Sequence, residues 1–383
     1  MASEFKLKGS YEGFGHDNAR TACRVIYKPT DPIYDENIRK FQGCPTIAVT
    51  KKGRVFLGWY SGGTREPHIE NYNILTFSDD GGKSFGRPYL VIPSDKERLV
   101  HALDIQLWTA PNGSLWVFWV QNNVLPDREE YSYLLTNDPT KPVVAVNGYF
   151  FPDMRHTEWC IVCDDPDAPE PRFSEPVMLD IGFLRCKPLV TESGRWLFFN
   201  YDQLTDRYGY SISDDNGKSF ERRYGGKKQS TPFDEGTAYQ RRDGSIHLLA
   251  RTKLGYIARS VSADDGESWT DGELTDIESP NTRLFISRTP SGRVLLVNND
   301  DSEVRQRMTV YLSEDDGVTF KYKKCIDPRR GLSYPDVDFC DGRIYLTYDR
   351  ERTGAKEILL AVFTEDDIID KNSEIEINIV SKP

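Results

Sequence analysis

Cations set in short segments between apolar runs give the first chemical hint in this sequence. RKFQGCP carries Arg39 and Gln42, RCKP carries Lys187, ARTK carries Arg251, ESPNTR carries Glu278 and Arg283, and VRQR carries Arg305 and Arg307. Guanidinium groups grip carboxylates through two parallel hydrogen bonds, so cations gathered in one place suit an anionic substrate such as a carboxylate-bearing sugar. Groups able to move protons or attack carbon are interleaved with them. TREPHIE holds Arg65, Glu66, His68 and Glu70, HALD holds His101 and Asp104, FDEGT holds Asp234 and Glu235, SYPD holds Tyr334 and Asp336, and YDR holds Asp349. The same charges could equally pair with one another on a solvated rim. The outcome depends on whether the intervening elements bring them to one place.

Two repeats describe those elements. SDDGGKSF (Ser78 to Phe85), SDDNGKSF (Ser213 to Phe220), SADDGESW (Ser262 to Trp269) and SEDDGVTF (Ser313 to Phe320) share the frame Ser-x-Asp-x-Gly-x-Ser/Thr-aromatic. That frame predicts a tight turn in which Asp accepts backbone N–H groups, Gly takes a positive φ, and the aromatic plugs the sheet. The second repeat is a turn glycine followed by an apolar strand, at Gly53, Gly113, Gly194, Gly244, Gly292 and Gly342. These glycines are 60, 81, 50, 48 and 50 residues apart, an underlying period of roughly 50 that suits a four-stranded propeller blade. In the first unit PTIAVT, RVFLGWY, NILTFS and YLVI are the four strands A to D.

The predicted fold is therefore all-β: a single six-bladed β-propeller of four-stranded antiparallel blades, at about 44–93, 102–180, 184–232, 234–276, 280–327 and 331–383. The segment 22–28 is expected to close the ring by completing blade six. A pair of β-sandwiches is the runner-up, disfavoured by six units with no linker between them. Blades two and six lack an Asp turn, and DDPDAPEPRF (Asp164 to Phe173) fills the slot in blade two. If the Asp turns and A-to-B turns share one rim, the D-to-A and B-to-C loops share the other, and the charged segments above fall in those loops. The long interval after Gly113 predicts an extended loop over about 121–156 that shapes specificity.

Composition bounds the function classes. The chain has 383 residues, 12% aromatics, and a formal net charge of −11, a field that repels nucleic acid and anionic membrane surfaces. No apolar run is long enough to span a bilayer, and MASEFKLKGSYEGF has no secretory core. A cytoplasmic location is expected, or a secreted or periplasmic one if a leader has been removed. Seven cysteines without metal-like spacing read as reduced, buried thiols. No metal or cofactor is called for, and the oligomeric state is open.

The Asp turns, the six blades and the SYPD…DGRIYLTYD stretch resemble the sialidase (neuraminidase) superfamily, from about Gln42 to Ile368. The resemblance implies an exo-acting retaining glycosidase that releases a terminal acidic sugar from an oligosaccharide or glycoconjugate through a tyrosyl intermediate. It assigns Tyr334 as nucleophile, Glu235 as its activating partner, and Arg251 and Arg305 as the second and third arginines of a carboxylate clamp. Asp349, at the end of the next strand, and Asp104 are placed with them as substrate-side residues. A phenol of pKa ~10 is a poor nucleophile until a carboxylate accepts its proton, and a neutral tyrosine avoids the repulsion a carboxylate nucleophile would meet from an anionic sugar.

The sequence departs from that pattern twice. Gly43 stands where the first arginine is expected, leaving Arg39 with Gln42, Lys187 or Arg283 to substitute. The acid/base aspartate is also missing from its loop, leaving Glu70 or His68 as proton donor. Two other functions remain open. A uronate-directed lyase would use His101 or His68 as base, and a noncatalytic glycan-binding propeller would stack sugars on Trp59, Tyr60 and Trp119.

Overall fold

The computed structural model describes residues 20–66, 68–98, 100–123, 156–202, 205–229 and 233–383. Most of the expected loop at 121–156 and the N-terminal stretch read for a leader lie outside them. The chain divides into two compact units. One comprises residues 1–184, 352–358 and 379–383, and the other 185–351 and 359–378.

Six antiparallel sheets of four or five strands follow one another along the sequence, and the fold class is a six-bladed β-propeller with four-stranded antiparallel blades. Blade one contains Gln42–Val49, Val55–Ser61, Tyr72–Ser78 and Leu90–Pro93, and blade two Val100–Thr109, Leu115–Asn123, His156–Cys163 and Val177–Ile181. Blades three to five run from Leu189–Val190 to Glu221–Lys227, from Gly236–Gln240 to Glu273–Glu278, and from Phe285–Arg288 to Tyr322–Arg330. Blade six has four strands of its own, Leu332–Cys340, Arg343–Arg350, Glu357–Thr364 and Ile377–Ser381. The expected ring closure by residues 22–28 is not what forms. Ile26 and Tyr27 pair instead with Val91 and Leu90, adding a fifth strand to blade one. The sixth blade needs no borrowed strand because Ile377–Ser381 supplies its outer edge.

Alternation along a strand shows why a blade cannot stand alone. From Ile246–Ala250, the side chains of Ile246, Leu248 and Ala250 join Leu197, Phe199, Tyr208, Tyr210 and Ile212 of the preceding blade. Leu249 faces the other way, into a core with Leu284, Ile286, Val294 and Leu296 of the following blade. The period-2 geometry of a strand thus builds two different cores from one sequence, and each blade covers its neighbours. Blade five repeats the pattern, sending Leu295 and Val297 into a core with Leu346, Leu359 and Ala361.

The four Asp turns are superimposable in their bonding. In each, the opening Ser donates to the Asp carboxylate and accepts from the Gly N–H, while the Ser or Thr four residues past the Asp donates to the second carboxylate oxygen. Asp264 accepts from Ser262 Oγ at 2.8 Å, from Ser268 N at 2.9 Å and from Ser268 Oγ at 2.5 Å. The turn also reaches the preceding blade, since Tyr210 Oη donates to Gly266 O at 2.8 Å. Asp264→Ala is expected to lower stability by about 1–2 kcal/mol, the cost of donors left without their acceptor. Urea unfolding measures this, and an unchanged midpoint would show that the backbone alone holds the turn.

All seven cysteines are unbridged. Five are buried as expected, but Cys325 is exposed and Cys340 is half-buried, because Cys325 lies on the edge strand of blade five and Cys340 ends the first strand of blade six.

Candidate active site

Glu235 immediately precedes the first strand of blade four, and Arg251 immediately follows the second. The pairing of Gly236 with Ala250 sets them side by side, and Arg251 N donates to Glu235 O at 3.2 Å. Their side chains meet as well, with Arg251 Nη1 at 2.8 Å from Glu235 Oε2. Tyr334 arrives from blade six, 99 residues further on, and its Oη donates to Glu235 Oε1 at 2.7 Å. Arg251 Nη1 also donates to Tyr334 Oη at 3.0 Å. Tyrosine, glutamate and arginine thus form a closed triangle of hydrogen bonds, all three buried.

A backbone irregularity aims the tyrosine. The pairing of Leu332–Cys340 with Arg343–Arg350 slips between Ser333 and Asp336. At the slip Tyr334 adopts φ of 56°, a left-handed conformation that costs an ordinary residue about 1 kcal/mol or more. Such a bulge redirects a side chain. It also leaves backbone carbonyls without ladder partners, and Arg283 takes them: its Nη2 donates to Tyr334 O and Pro335 O, each at 3.1 Å, and its Nη1 donates to Arg185 O. The same device recurs in the first strands of blades one and two. There the pairing slips between Gly43 and Thr46 and between Leu103 and Gln106, with Cys44 at φ 54° and Asp104 at φ 61°.

The electrostatics around the ring are strongly positive. The guanidinium carbons of Arg283, Arg185 and Arg305 lie 5.1, 5.3 and 5.8 Å from the Tyr334 centroid, and Arg185 Nε is 3.6 Å from Glu235 Oε1. Burial alone would push the Glu235 carboxyl up, but Arg251 and Arg185, with the Tyr334 hydrogen bond, hold it down at about 2. Its neighbour Asp234 has the opposite fate: burial raises it to about 7 against the opposing pull of Lys228 Nζ, 3.0 Å away. Consecutive carboxylates are thereby separated in acidity by their surroundings.

The other expected substrate-side residues are placed as follows. Arg305 joins the cluster and donates to Asn281 O at 2.6 Å. Arg283 is not available to clamp a substrate carboxylate, since three main-chain carbonyls occupy its Nη atoms. Lys187 pairs with Asp336 at 3.2 Å, and Asp349, fully buried, accepts from Ser333 Oγ at 2.5 Å. Arg185 and Asn281 are the members of the cluster not picked out as site residues from the sequence. Each lies two positions before a residue that was, Lys187 and Arg283, in the same loop segments.

The remaining expectations fall in the other compact unit. Arg39 donates to Ser381 Oγ at 3.2 Å and to Tyr34 O at 3.1 Å, and Gln42 Nε2 donates to Lys356 O at 2.5 Å. Both are buried, so they brace this unit rather than present a cation to a ligand. Asp104 is buried at its bulge. Glu70 is half-exposed and pairs with Lys96 at 3.0 Å. The Lys96 hydrogen bond holds its carboxyl below the usual range, the wrong direction for a proton donor at neutral pH. His68 is buried, with Nδ1 accepting from Glu70 N at 3.1 Å. His101 is fully buried, and that burial lowers it to about 3, leaving a neutral ring bound to Asn71 Oδ1 at 3.1 Å. A lyase base therefore finds no support at His101 or His68. Trp59, Tyr60 and Trp119 are also buried in the core, so the stacking surface expected of a binding module is not formed by them.

Gly43 has a positive partner that the sequence did not suggest. A Cβ built on it would lie 2.7 Å from both Cγ and Cδ of Arg352. The Arg352 side chain fills the space over the glycine and pairs with Glu66, which also accepts from Tyr60 Oη. Glu66, rather than Glu70 or His68, is thus the acid of its loop held by both a guanidinium and a phenol. Gly43→Ala is expected to displace Arg352 and cost about 1–3 kcal/mol by overpacking. Thermal unfolding tests this, and a variant as stable as the parent would show that Arg352 swings aside freely.

The sequence from 53 to 346 matches the family model for a BNR repeat-like domain. Among solved structures, the intramolecular trans-sialidase from Ruminococcus gnavus, in complex with oseltamivir carboxylate, is 16% identical with a TM-score of 0.65 and covers 91% of this chain and 98% of its own. The NanB sialidase from Streptococcus pneumoniae is 16% identical with a TM-score of 0.64, over 94% of this chain and 70% of its own. A protein of unknown function from Dyadobacter fermentans is similar at 16% identity and a TM-score of 0.63, over 87% and 95%. No functionally curated protein sequence matches. At these identities the structural likenesses establish the fold alone, whereas the family model spans well over half of the chain: the protein belongs to the BNR repeat-like domain family.

Proposed function

We propose that this protein is an exo-acting retaining glycosidase that releases a terminal acidic sugar, with Tyr334 as nucleophile. The observation that carries the reading is the 2.7 Å hydrogen bond from Tyr334 Oη to Glu235 Oε1 within a ring of four arginines. As Oη bonds to the anomeric carbon, its proton passes to Glu235 and the bond to the aglycone oxygen breaks, that oxygen leaving with the electron pair as the aglycone anion. Water then attacks the anomeric carbon and its bond to Tyr334 Oη breaks: the hydroxyl stays on the sugar, Glu235 returns its proton to Oη, and the other proton of the water passes through solvent to neutralise the aglycone. Glu235 is a weak base with its carboxyl held at about 2, but Arg251 Nη1, 3.0 Å from Oη, stabilises the negative charge that develops there. Arg251 and Arg305 supply cations for the sugar carboxylate. A neutral phenol next to a surplus of positive charge accepts an anionic substrate that a carboxylate nucleophile would repel.

The test is release of 4-methylumbelliferone from its α-sialoside, run beside other acidic glycosides and with uronate glycans monitored for unsaturated products. Sialoside release with α-sialic acid as first product supports the reading. Unsaturated products, or glycan binding without any release, would replace it with a lyase or a binding module.

The pH profile adds a second test. A carboxyl depressed to about 2 is ionised throughout the working range, so its contribution persists above the unfolded value near 4.5 and fades only as pH falls toward 2. Glu235 is therefore expected to give kcat no acid limb above about pH 4. A limb near pH 5 that vanishes in Glu235→Gln would contradict this.

A further inference from the structure

The segment Ser279 to Arg283 links blades four and five; it holds two arginines of the Tyr334 cluster by two different atoms and contributes a third itself. Asn281 Oδ1 accepts from Arg251 Nε at 2.7 Å, and the main-chain oxygen of the same residue accepts from Arg305 Nη2 at 2.6 Å. Two residues on, Arg283 secures the Tyr334 and Pro335 carbonyls. The segment is itself anchored, since Ser279 Oγ donates to Asn298 Oδ1 at 3.1 Å and Asn298 Nδ2 donates to Glu278 O at 2.7 Å.

The orientation of the Asn281 amide follows from chemistry. A guanidinium Nε–H can only donate, so the amide oxygen must face Arg251 and the NH2 group must point away. Asn281 is exposed, and its Nδ2 makes no hydrogen bond among the described residues. One residue therefore spaces two arginines and holds an uncommitted donor beside them.

Resting on the glycosidase reading, we propose that Asn281 is a positioning and specificity residue, which sets Arg251 and Arg305 at a fixed separation and offers its amide N–H to the carboxylate side of the bound acidic sugar. Arg251 Nη1 stays held at Tyr334 Oη by Glu235 Oε2 without Asn281, so the contribution of Asn281 is to the carboxylate binding that substrate and transition state share, and it belongs in KM rather than kcat. In Asn281→Ala the main-chain link to Arg305 remains while Arg251 Nε loses its acceptor. Asn281→Asp still accepts from Arg251 but replaces the donor with a negative charge facing the substrate.

The experiment measures 4-methylumbelliferyl α-sialoside turnover and, by calorimetry, binding of free N-acetylneuraminic acid to the full-length protein and both variants, with circular dichroism to establish folding. Asn281→Ala is expected to raise KM and Kd about tenfold with kcat within about twofold, and Asn281→Asp to raise both further. Unchanged KM and Kd in Asn281→Ala overturn the assignment, as does parental behaviour in Asn281→Asp. If the parent binds the sugar without hydrolysing its glycoside and the variants bind it more weakly, the hydrolase reading falls and the role of Asn281 stands. If the parent neither binds nor hydrolyses, both fall.

Discussion

Tyr334→Phe is expected to lose sialoside release by about a thousandfold or more in kcat, because no other group shares the reacting position. The substitution removes one oxygen. Glu235 keeps Arg251 at 2.8 Å and Arg185 at 3.6 Å, so the carboxylate stays paired and the fold should lose only about 1–2 kcal/mol, the value of the hydrogen bonds deleted. Binding of free N-acetylneuraminic acid should persist, since the arginines are untouched. Turnover kinetics with calorimetry on the same preparation checks all three points. Residual release within about tenfold of the parent would remove Tyr334 from the nucleophile role.

Arg251→Met is the second large effect, and it falls on stability as well as activity. Breaking a buried ion pair by deleting one partner typically costs 3–5 kcal/mol. Arg185 remains near Glu235, so a loss of about 3 kcal/mol is expected. The pH dependence identifies the cause. In the parent, Glu235 is held at about 2 against burial by Arg251 first and Arg185 next, and its stabilising contribution is complete above the unfolded value near 4.5. Without Arg251 burial weighs more heavily, the folded carboxyl rises, and the variant should lose stability as pH increases across the range where the unfolded chain has already released its proton. Urea unfolding at pH 5 and pH 8 reads this directly. A deficit of equal size at both values would point to lost packing rather than an uncompensated charge.

The parts of the molecule legible in the sequence are those written locally. An Asp turn is complete within eight residues, and its bonding in the folded chain involves the Ser, Asp, Gly and hydroxyl residues that define the motif. Tyr334 and Glu235 are 99 residues apart, yet both sit at the starts of blades, and the repeat turns sequence phase into position. What phase cannot convey is which long side chain fills a gap. Arg352 over Gly43 is such a case, since nothing near either residue names the other. Arg283 reads as a substrate cation from its charge, whereas the bulge at Tyr334 sets unpaired carbonyls before it. The Ile26–Tyr27 strand pairs with blade one rather than blade six, and the sequence does not foretell it because two residues of apolar pattern fix neither partner nor register. Glu70 and His68 carry the right chemistry for proton transfer, but Lys96 pairs with the first and the core encloses the second.

The left-handed kink recurs at Cys44, Asp104 and Tyr334 in the opening strands of three blades. One main-chain device carries a thiol, a carboxylate and a phenol at three blade starts, so the kink does not itself choose the reagent; what is packed against it does, as Glu235 and Arg251 do for Tyr334.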